Sequence, residues 1–418
     1  MHESANAALI TNDAIVLGIL AMILGLVFYT SHSDRRVFRG FYKYVPALLL
    51  CYFLPSLLNT FHVIDGNASR LYFVCSRYLL PATLVLLTLS IDLPAILRLG
   101  PKALTMFFTA TFGIIIGGPL AILIVSTFNP DLVGGQGPDA VWRGLTTVAG
   151  SWIGGGANQA AMKEVFEVGD DLFSKMVAVD VLIANVWMAV LLYMAGRSES
   201  IDRRLGADTS AIDALRMKVE EFHARHARIP NLRDLMIICA VGLGAMGLSH
   251  LLADAIAPWI SVNAPGLSKY SLTSGFFWLV VIATTIGVGL SFTRARELEG
   301  AGASKVGTVF LYFLVASIGM HMDIGAVFDS PGLFLVGGIW MTIHAGLMLF
   351  MARMIKAPTF FMAVGSQANV GGAASAPVVA SAFHPALAPV GVLLAVLGYA
   401  LGTYGAWLCG ILMRGAAG

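Results

Sequence analysis

Apolar runs long enough to cross a membrane recur along almost the whole chain, separated by short polar connectors. In the first half they fall near 15–29, 44–61, 71–91, 103–127 and 175–196, and in the second near 235–253, 272–292, 306–322, 332–352 and 387–413. A helix needs about 20 residues to cross roughly 30 Å of hydrocarbon, so each run predicts a span. Two further apolar segments, 145–168 and 359–383, are interrupted. The first contains VAGSWIGGGANQAAMKEVFEV from Val148, and the second AVGSQANVGGAASAPVVASA from Ala363. Each places Gly-Ser, then small and amide residues, then glycines ahead of a new helical run. Glycine unwinds a helix at little steric cost, and in hydrocarbon such a break is tolerated only against protein or a water-filled cavity.

The two interruptions occupy matching places in two halves. LLTLSIDLPAILRLGPKAL puts Asp92 and Pro101 at a polar helix end, and VASIGMHMDIGAVFDSPGL does the same with Asp323 and Pro331. The expected organisation is a first repeat over 1–196, a hydrophilic linker over 197–233, and a second repeat over 234–418. Within the linker, SAIDALRMKVEEFHARHARI predicts an amphipathic surface helix with Ile212, Leu215, Val219 and Phe222 on one face.

Loop charge compares two arrangements. If both broken segments are re-entrant hairpins, 19 of the 26 Lys and Arg lie on one side, including Arg35, Arg36, Arg39 and Lys43. If both cross fully, the better orientation gives 17, and it exports that cluster. Positive residues favour the cytoplasmic side, so the expected fold is all-α and polytopic. It has ten spans, two re-entrant hairpins and both termini outside, in two inverted repeats of about five spans each. A discontinuous helix that crosses is the rival.

Composition supports the class: 57% hydrophobic residues, 12% charged and a net charge of +2 describe an integral membrane protein without a nucleic-acid partner. The apolar run near Ile15 to Tyr29 is preceded by no Lys or Arg, so it predicts a first span rather than a signal peptide. Cys51, Cys75, Cys239 and Cys409 lie in apolar segments without metal spacing and predict free buried thiols.

The breaks carry the candidate chemistry, since paired discontinuities mark the substrate site of many secondary transporters. In the first, Ser151, Asn158 and Gln159 flank Gly154, Gly155 and Gly156. Freed carbonyls there can bind a cation, and the next helix N-terminus an anion. The second offers Ser366, Gln367, Asn369 and Ser375, with Pro377 expected to open its second helix. Glycine and alanine that only permit close packing are the alternative, but packing does not call for the same amides twice. Asp180 and Asn185 sit deep in a span; an intramembrane carboxylate costs at least about 2.5–3.5 kcal/mol, which makes it a functional candidate. Tyr399 and Thr403, with Tyr404, hold the equivalent place in the last span. Asp92 and Asp323 fit helix caps equally well, and Thr284 and Thr285 can bond their own helix. His344 and His384 lack a second ligand at helical spacing, so no metal beyond Na+ is expected. No nucleophile, zinc or nucleotide motif stands in a fitting context, and GGGAN lacks the Lys-Ser/Thr of a P-loop. An enzyme is not expected.

GSWIGGGANQAAMKEVF, GSQANVGGAASAPVVA and the closing GVLLAVLGYALGTYGAWLCG resemble an uncharacterised bacterial and plastid membrane-protein family, domain of unknown function 819. That family is grouped with the cation:proton antiporters and anion transporters. The resemblance implies inverted repeats, a scaffold, a mobile transport domain holding both breaks and, by analogy with those relatives, a homodimer. The paired acidic residues of electrogenic antiporters are missing, because Asp180 has a hydrophobic neighbour on each side.

The expected function is secondary transport of a small organic solute in the bacterial inner (plasma) membrane. The solute is expected to carry a carboxylate, as amino acids, short peptides and organic acids do. Coupling is to Na+ or H+ in symport, by alternating access, with no cofactor. The alternatives are a monovalent cation:proton antiporter and a non-transporting membrane regulator or enzyme.

Overall fold

In hydrocarbon a backbone N–H or C=O finds no water, so an apolar segment must satisfy its own peptide groups, and a helix does that within one segment. The computed structural model of this chain, which describes residues 9–42, 45, 47–66, 68–207, 212, 230–321, 330–384 and 387–418, is accordingly helical. Extended pairing among the described residues is limited to one bridge between Ile10 and Ile64.

The helices follow the apolar runs: α1 (Asp13–Ser31), α2 (Arg36–Tyr42), α3 (Ala47–Thr60), α4 (Leu71–Leu89), α5 (Pro101–Ser126), α6 (Val141–Val165), α7 (Asp170–Ala195) and α8 (Ser198–Leu205). In the second half come α9 (Leu232–Asn263), α10 (Gly275–Ser291), α11 (Ala303–Gly319), α12 (Gly332–Met354), α13 (Thr359–Val370), α14 (Gly372–Phe383) and α15 (Ala388–Ala417). Among the described residues, α1, α4, α5, α7, α9, α12 and α15 are long and apolar enough to cross a membrane. The number rises to nine if α2 with α3, and α10 with the turn Arg294–Ala301, each count as one bent span. Ten were expected. The difference lies in α3 at 14 residues and in α10 and α11 at 17 each. At about 1.5 Å rise per residue these are at or below the minimum for crossing unaided.

Both broken segments double back. In α6 the chain reverses at Gly155, whose φ of 75° and ψ of −174° lie outside the helical region. The Trp142 and Phe166 rings therefore meet edge to face with centroids 5.9 Å apart, and Arg143 donates to the Phe166 carbonyl. An unbroken helix would hold residues 142 and 166 about 36 Å apart. Between α13 and α14 the turn falls at Gly371 and Gly372, the latter at φ 59°. It brings Phe360 and Phe383 to 5.3 Å. Pro377, expected to open the second limb, sits instead inside α14. There it withholds the N–H that the Ala373 carbonyl would otherwise accept.

The two hairpins lie along opposite ends of α15. At its N-terminal end Gly391 packs on Ala376 of the second hairpin, at its middle Gly402 meets Gly154, and near its C-terminal end Gly410 packs on Phe166 and Thr146 of the first. α7 runs the other way. Leu172 lies beside Gly144 at the base of the first hairpin, and Asp202, just beyond α7, holds Thr359 at the base of the second. α5 and α12 are also antiparallel, with Gly113 beside His344 and Gly117 beside Trp340.

Packing sorts the helices into two groups, one of α5, α6, α7 and α12–α15, the other of α1, α3, α4 and α9–α11. Each half of the chain contributes to both, so the halves 1–196 and 234–418 are not two separate bodies. The linker helix expected over 210–229 lies, apart from Ile212, outside the described residues, as does Asp323.

Backbone contact between α15 and the first hairpin depends on glycine, since a Cβ on Gly402 would stand 2.6 Å from the Gly154 Cα. Gly402→Val is expected to lower the stability of the purified protein by about 1–3 kcal/mol, the usual range for overpacking. Gly244→Ala, where a Cβ meets nothing within 4 Å, is expected to leave it unchanged. Thermal unfolding in detergent of both variants checks the pair.

Candidate functional site

The hairpins meet at their turns: a Cβ on Gly372 would point at the Gly155 Cα from 4.0 Å. On the first tip, Tyr399 of α15 covers Gly155 and Leu311 of α11 approaches Gly156. Each hairpin ends one helical limb at the tip and begins another. Two sets of terminal carbonyls and two sets of terminal N–H groups are thus presented in one small region. Gly155, Gly156, Gly371 and Ser375 are partly exposed there and Ala374 is exposed, while the first limb of the second hairpin, Thr359–Val370, is buried throughout.

What holds the tips is a pair of equivalent amide clamps. Asn158, with no exposure, donates through Nδ2 to Gly154 O at 2.9 Å and to Tyr399 O at 3.1 Å, while Thr403 donates to its Oδ1 at 2.7 Å. Asn369, equally buried, donates to Gly365 O at 3.0 Å and to Phe107 O at 3.2 Å, and Thr111 donates to its Oδ1 at 2.7 Å. In both, a Thr and a carbonyl four residues before it on a neighbouring long helix, α15 or α5, capture an asparagine four residues after a hairpin glycine. The asparagines are therefore saturated and hold the turns.

Asp180, 4% exposed, accepts from Trp152 Nε1 at 2.7 Å and from Gln159 Nε2 at 2.9 Å. It ties α7 to both limbs of the first hairpin. Asn185 does not join it, because its Nδ2 bonds Val181 O of its own helix at 2.7 Å. Trp187, further along α7, reaches the second hairpin and donates to Ser366 Oγ at 2.8 Å. His344 Nε2 lies 2.8 Å from the same oxygen. His344 is thus partnered by a hydroxyl of the second hairpin. Gln367 bridges the second turn to Ser375 at 2.7 Å, leaving its buried Oε1 with no partner. Ser151 is buried on the first hairpin. Thr284 bonds its own helix and Thr403, and Thr285 bonds Tyr404. Asp92 caps the short helix Leu93–Leu97 and pairs with Arg296 at 3.1 Å. All four cysteines are free.

Sequence reasoning passed over several residues that the fold uses. Asp202 accepts both Thr359 N, at 2.7 Å, and Thr359 Oγ1, at 2.6 Å, capping the second hairpin from 157 positions away. At the base of the first hairpin, Glu164 takes Arg77 at 3.0 Å and the Tyr72 hydroxyl, while Lys163 pairs with Asp170 at 2.8 Å. Arg77 was legible, since a basic residue inside a predicted span carries the same signal as Asp180. Asp202 was not, because its partner is distant in sequence.

This is a polytopic α-helical membrane protein whose two broken segments form opposed hairpins. Its sequence matches the family model described as "Protein of unknown function (DUF819)" over residues 18–416, and the chain belongs to that family. It is also similar to the "Uncharacterized membrane protein YjcL" of Bacillus subtilis (strain 168), 23% identical over 352 residues, 80% of this chain and 82% of the relative.

The clamps predict a pattern of coupling. Thr403→Val is expected to leave the Asn158 carbonyl oxygen unsatisfied at a cost of about 1–3 kcal/mol. Combined with Asn158→Ala it should be less than additive, whereas Thr111→Val, which acts on Asn369, should add fully to Thr403→Val. Unfolding of the single and double variants measures both terms.

Proposed function

We propose that the protein is a secondary active transporter that moves a small carboxylate-bearing solute, such as an amino acid, short peptide or organic acid. Transport is in symport with Na+ or H+, across a bacterial inner membrane. The observation that carries this reading is the meeting of two re-entrant hairpins, entering along opposite ends of α15, at Gly155 and Gly372. Discontinuous helices whose ends converge on one point give an ion and an anionic group a place in the membrane without unpaired backbone elsewhere. The second limb of each hairpin starts at the tips, so two helix N-termini favour a carboxylate. The first limbs end there, and their carbonyls, with the unpartnered Gln367 oxygen, suit a cation.

The order helix, hairpin, helix occurs as α5–α6–α7 and again as α12–(α13, α14)–α15, with α5 antiparallel to α12 and α7 to α15. That order supports reading the two halves as an inverted repeat, and alternating access then moves the hairpin-bearing helices together against the other group. Asp180 keeps the first hairpin seated on α7 by accepting from Trp152 and Gln159, one on each side of that break, which makes it the first candidate for coupling.

Thermal stability of the purified protein, measured across Na+, K+ and pH and then with small carboxylates, amino acids and peptides, tests the proposal. A ligand at 100 times its Kd is expected to add about 2.7 kcal/mol to the folded state, and Na+ or protons should strengthen that effect. In Asp180→Asn the ionic enhancement is expected to disappear; if it persists, coupling lies elsewhere. Stabilisation by cations or pH with no organic ligand responding would favour a cation:proton antiporter instead.

A further inference from the structure

If the hairpin-bearing helices move as a group, bonds inside the group are carried along and only bonds to the other group must break. Asp180 is of the first kind, since Trp152, Gln159 and α7 all belong to the hairpin group. Glu164 is of the second. Its Oε2 takes the Arg77 guanidinium at 3.0 Å and its Oε1 the Tyr72 hydroxyl, and both partners stand on α4, in the opposite group. Lys163 beside it also reaches the Tyr72 hydroxyl at 3.1 Å, but its ion pair is with Asp170 on α7, which travels with it.

The α4 side is firmly built. Arg77 lies in the π-helical turn Cys75–Leu79, a type of irregularity often found at functional sites. Its guanidinium lies over the Phe276 ring at 4.3 Å, and its carbonyl is bonded by His250 at 2.8 Å. Tyr72 faces the His321 ring at 5.1 Å.

We propose that Glu164 is a pH-sensitive latch that holds the two helix groups together while ionised and releases them when protonated. The inference rests on the transporter reading above. Drawing an ionised Glu164 away from Arg77 leaves a carboxylate with 13% of its side chain exposed and no cation of its own, which a medium of low dielectric strongly disfavours. A proton taken onto its Oε2 from the adjoining water removes that charge. Arg77, 31% exposed, keeps its charge against water and Phe276. The other titratable groups facing this point are Lys163, Asp170, His321 and His250, with Asp65 acting on His321. Lys163 and Asp170 neutralise each other within the moving group. On the orientation that loop charge favours, this end faces outside, where an inward proton gradient delivers the proton.

The test is the distance between the groups in liposomes of phosphatidylethanolamine and phosphatidylglycerol. Spin labels at Phe73→Cys and Asp171→Cys, both exposed positions on α4 and α7, report it with Cys239 replaced by serine. From pH 8 to pH 5 the separated population is expected to grow, by up to about tenfold per pH unit for one proton. Glu164→Gln should show the separated population at every pH. Tyr72→Phe, which removes a donor to the ionised form, should keep the response but move its midpoint to higher pH. His321→Gln should keep the wild-type profile. A wild-type profile in Glu164→Gln, or one lost in His321→Gln alone, overturns the proposal. If the distance answers Na+ but not pH, the latch falls while the transporter reading stands. If pH, Na+ and K+ leave it unchanged in every variant, both fall.

Discussion

The structure depends on one constraint, that a helix stopped in the middle of a membrane must find partners for the peptide groups its neighbours no longer satisfy. Both hairpins meet it in the same way. An asparagine donates backward to the carbonyl of a glycine four residues earlier in its hairpin and outward to a carbonyl of a long neighbouring helix, while a threonine of that helix fills its acceptor. The asparagine side chain thus supplies groups like those of a peptide at a place where the regular ladder ends. Glycine makes the clamp possible, because only without Cβ atoms can α15 approach Gly154 and Ile153 closely enough to present its carbonyl and hydroxyl.

The remaining polar side chains divide by what they join. Trp152, Gln159 and Asp180 bind the first hairpin to α7, Trp187 and His344 bind α7 and α12 to the second hairpin at Ser366, and Asp202 fixes the second hairpin's start. These bonds stay within one packed group. Glu164, Arg77 and Tyr72 join that group to the other. A buried polar network strengthens what it spans, so the hairpin group is braced as a unit, and its boundary with α4 is held by charge.

Glycine and serine spacing placed both reversals in the sequence, and loop charge favoured hairpins over crossings, which the contacts of Trp142 with Phe166 and of Phe360 with Phe383 bear out. Spans of 14 and 17 residues were counted with the rest, because apolarity alone does not say where a helix bends. Pro377 was read at a helix start because proline is common there. The turn at Gly371 and Gly372 begins the limb several residues earlier. Asp180 and Asn185 share a span but not a site, because five positions on a helix point to different sides.

By itself the sequence determined the membrane class, the positions of nearly all helices and the two places where helices break. Periodicity and composition are local properties, and the bilayer converts them almost directly into structure. Only the tertiary structure decided which polar groups meet. Thr403 with Asn158, Thr111 with Asn369, Asp202 with Thr359 and Arg77 with Glu164 are separated by 245, 258, 157 and 87 positions. No spacing rule reaches that far. The pairings follow from the way α5, α7 and α15 run past two opposed hairpins.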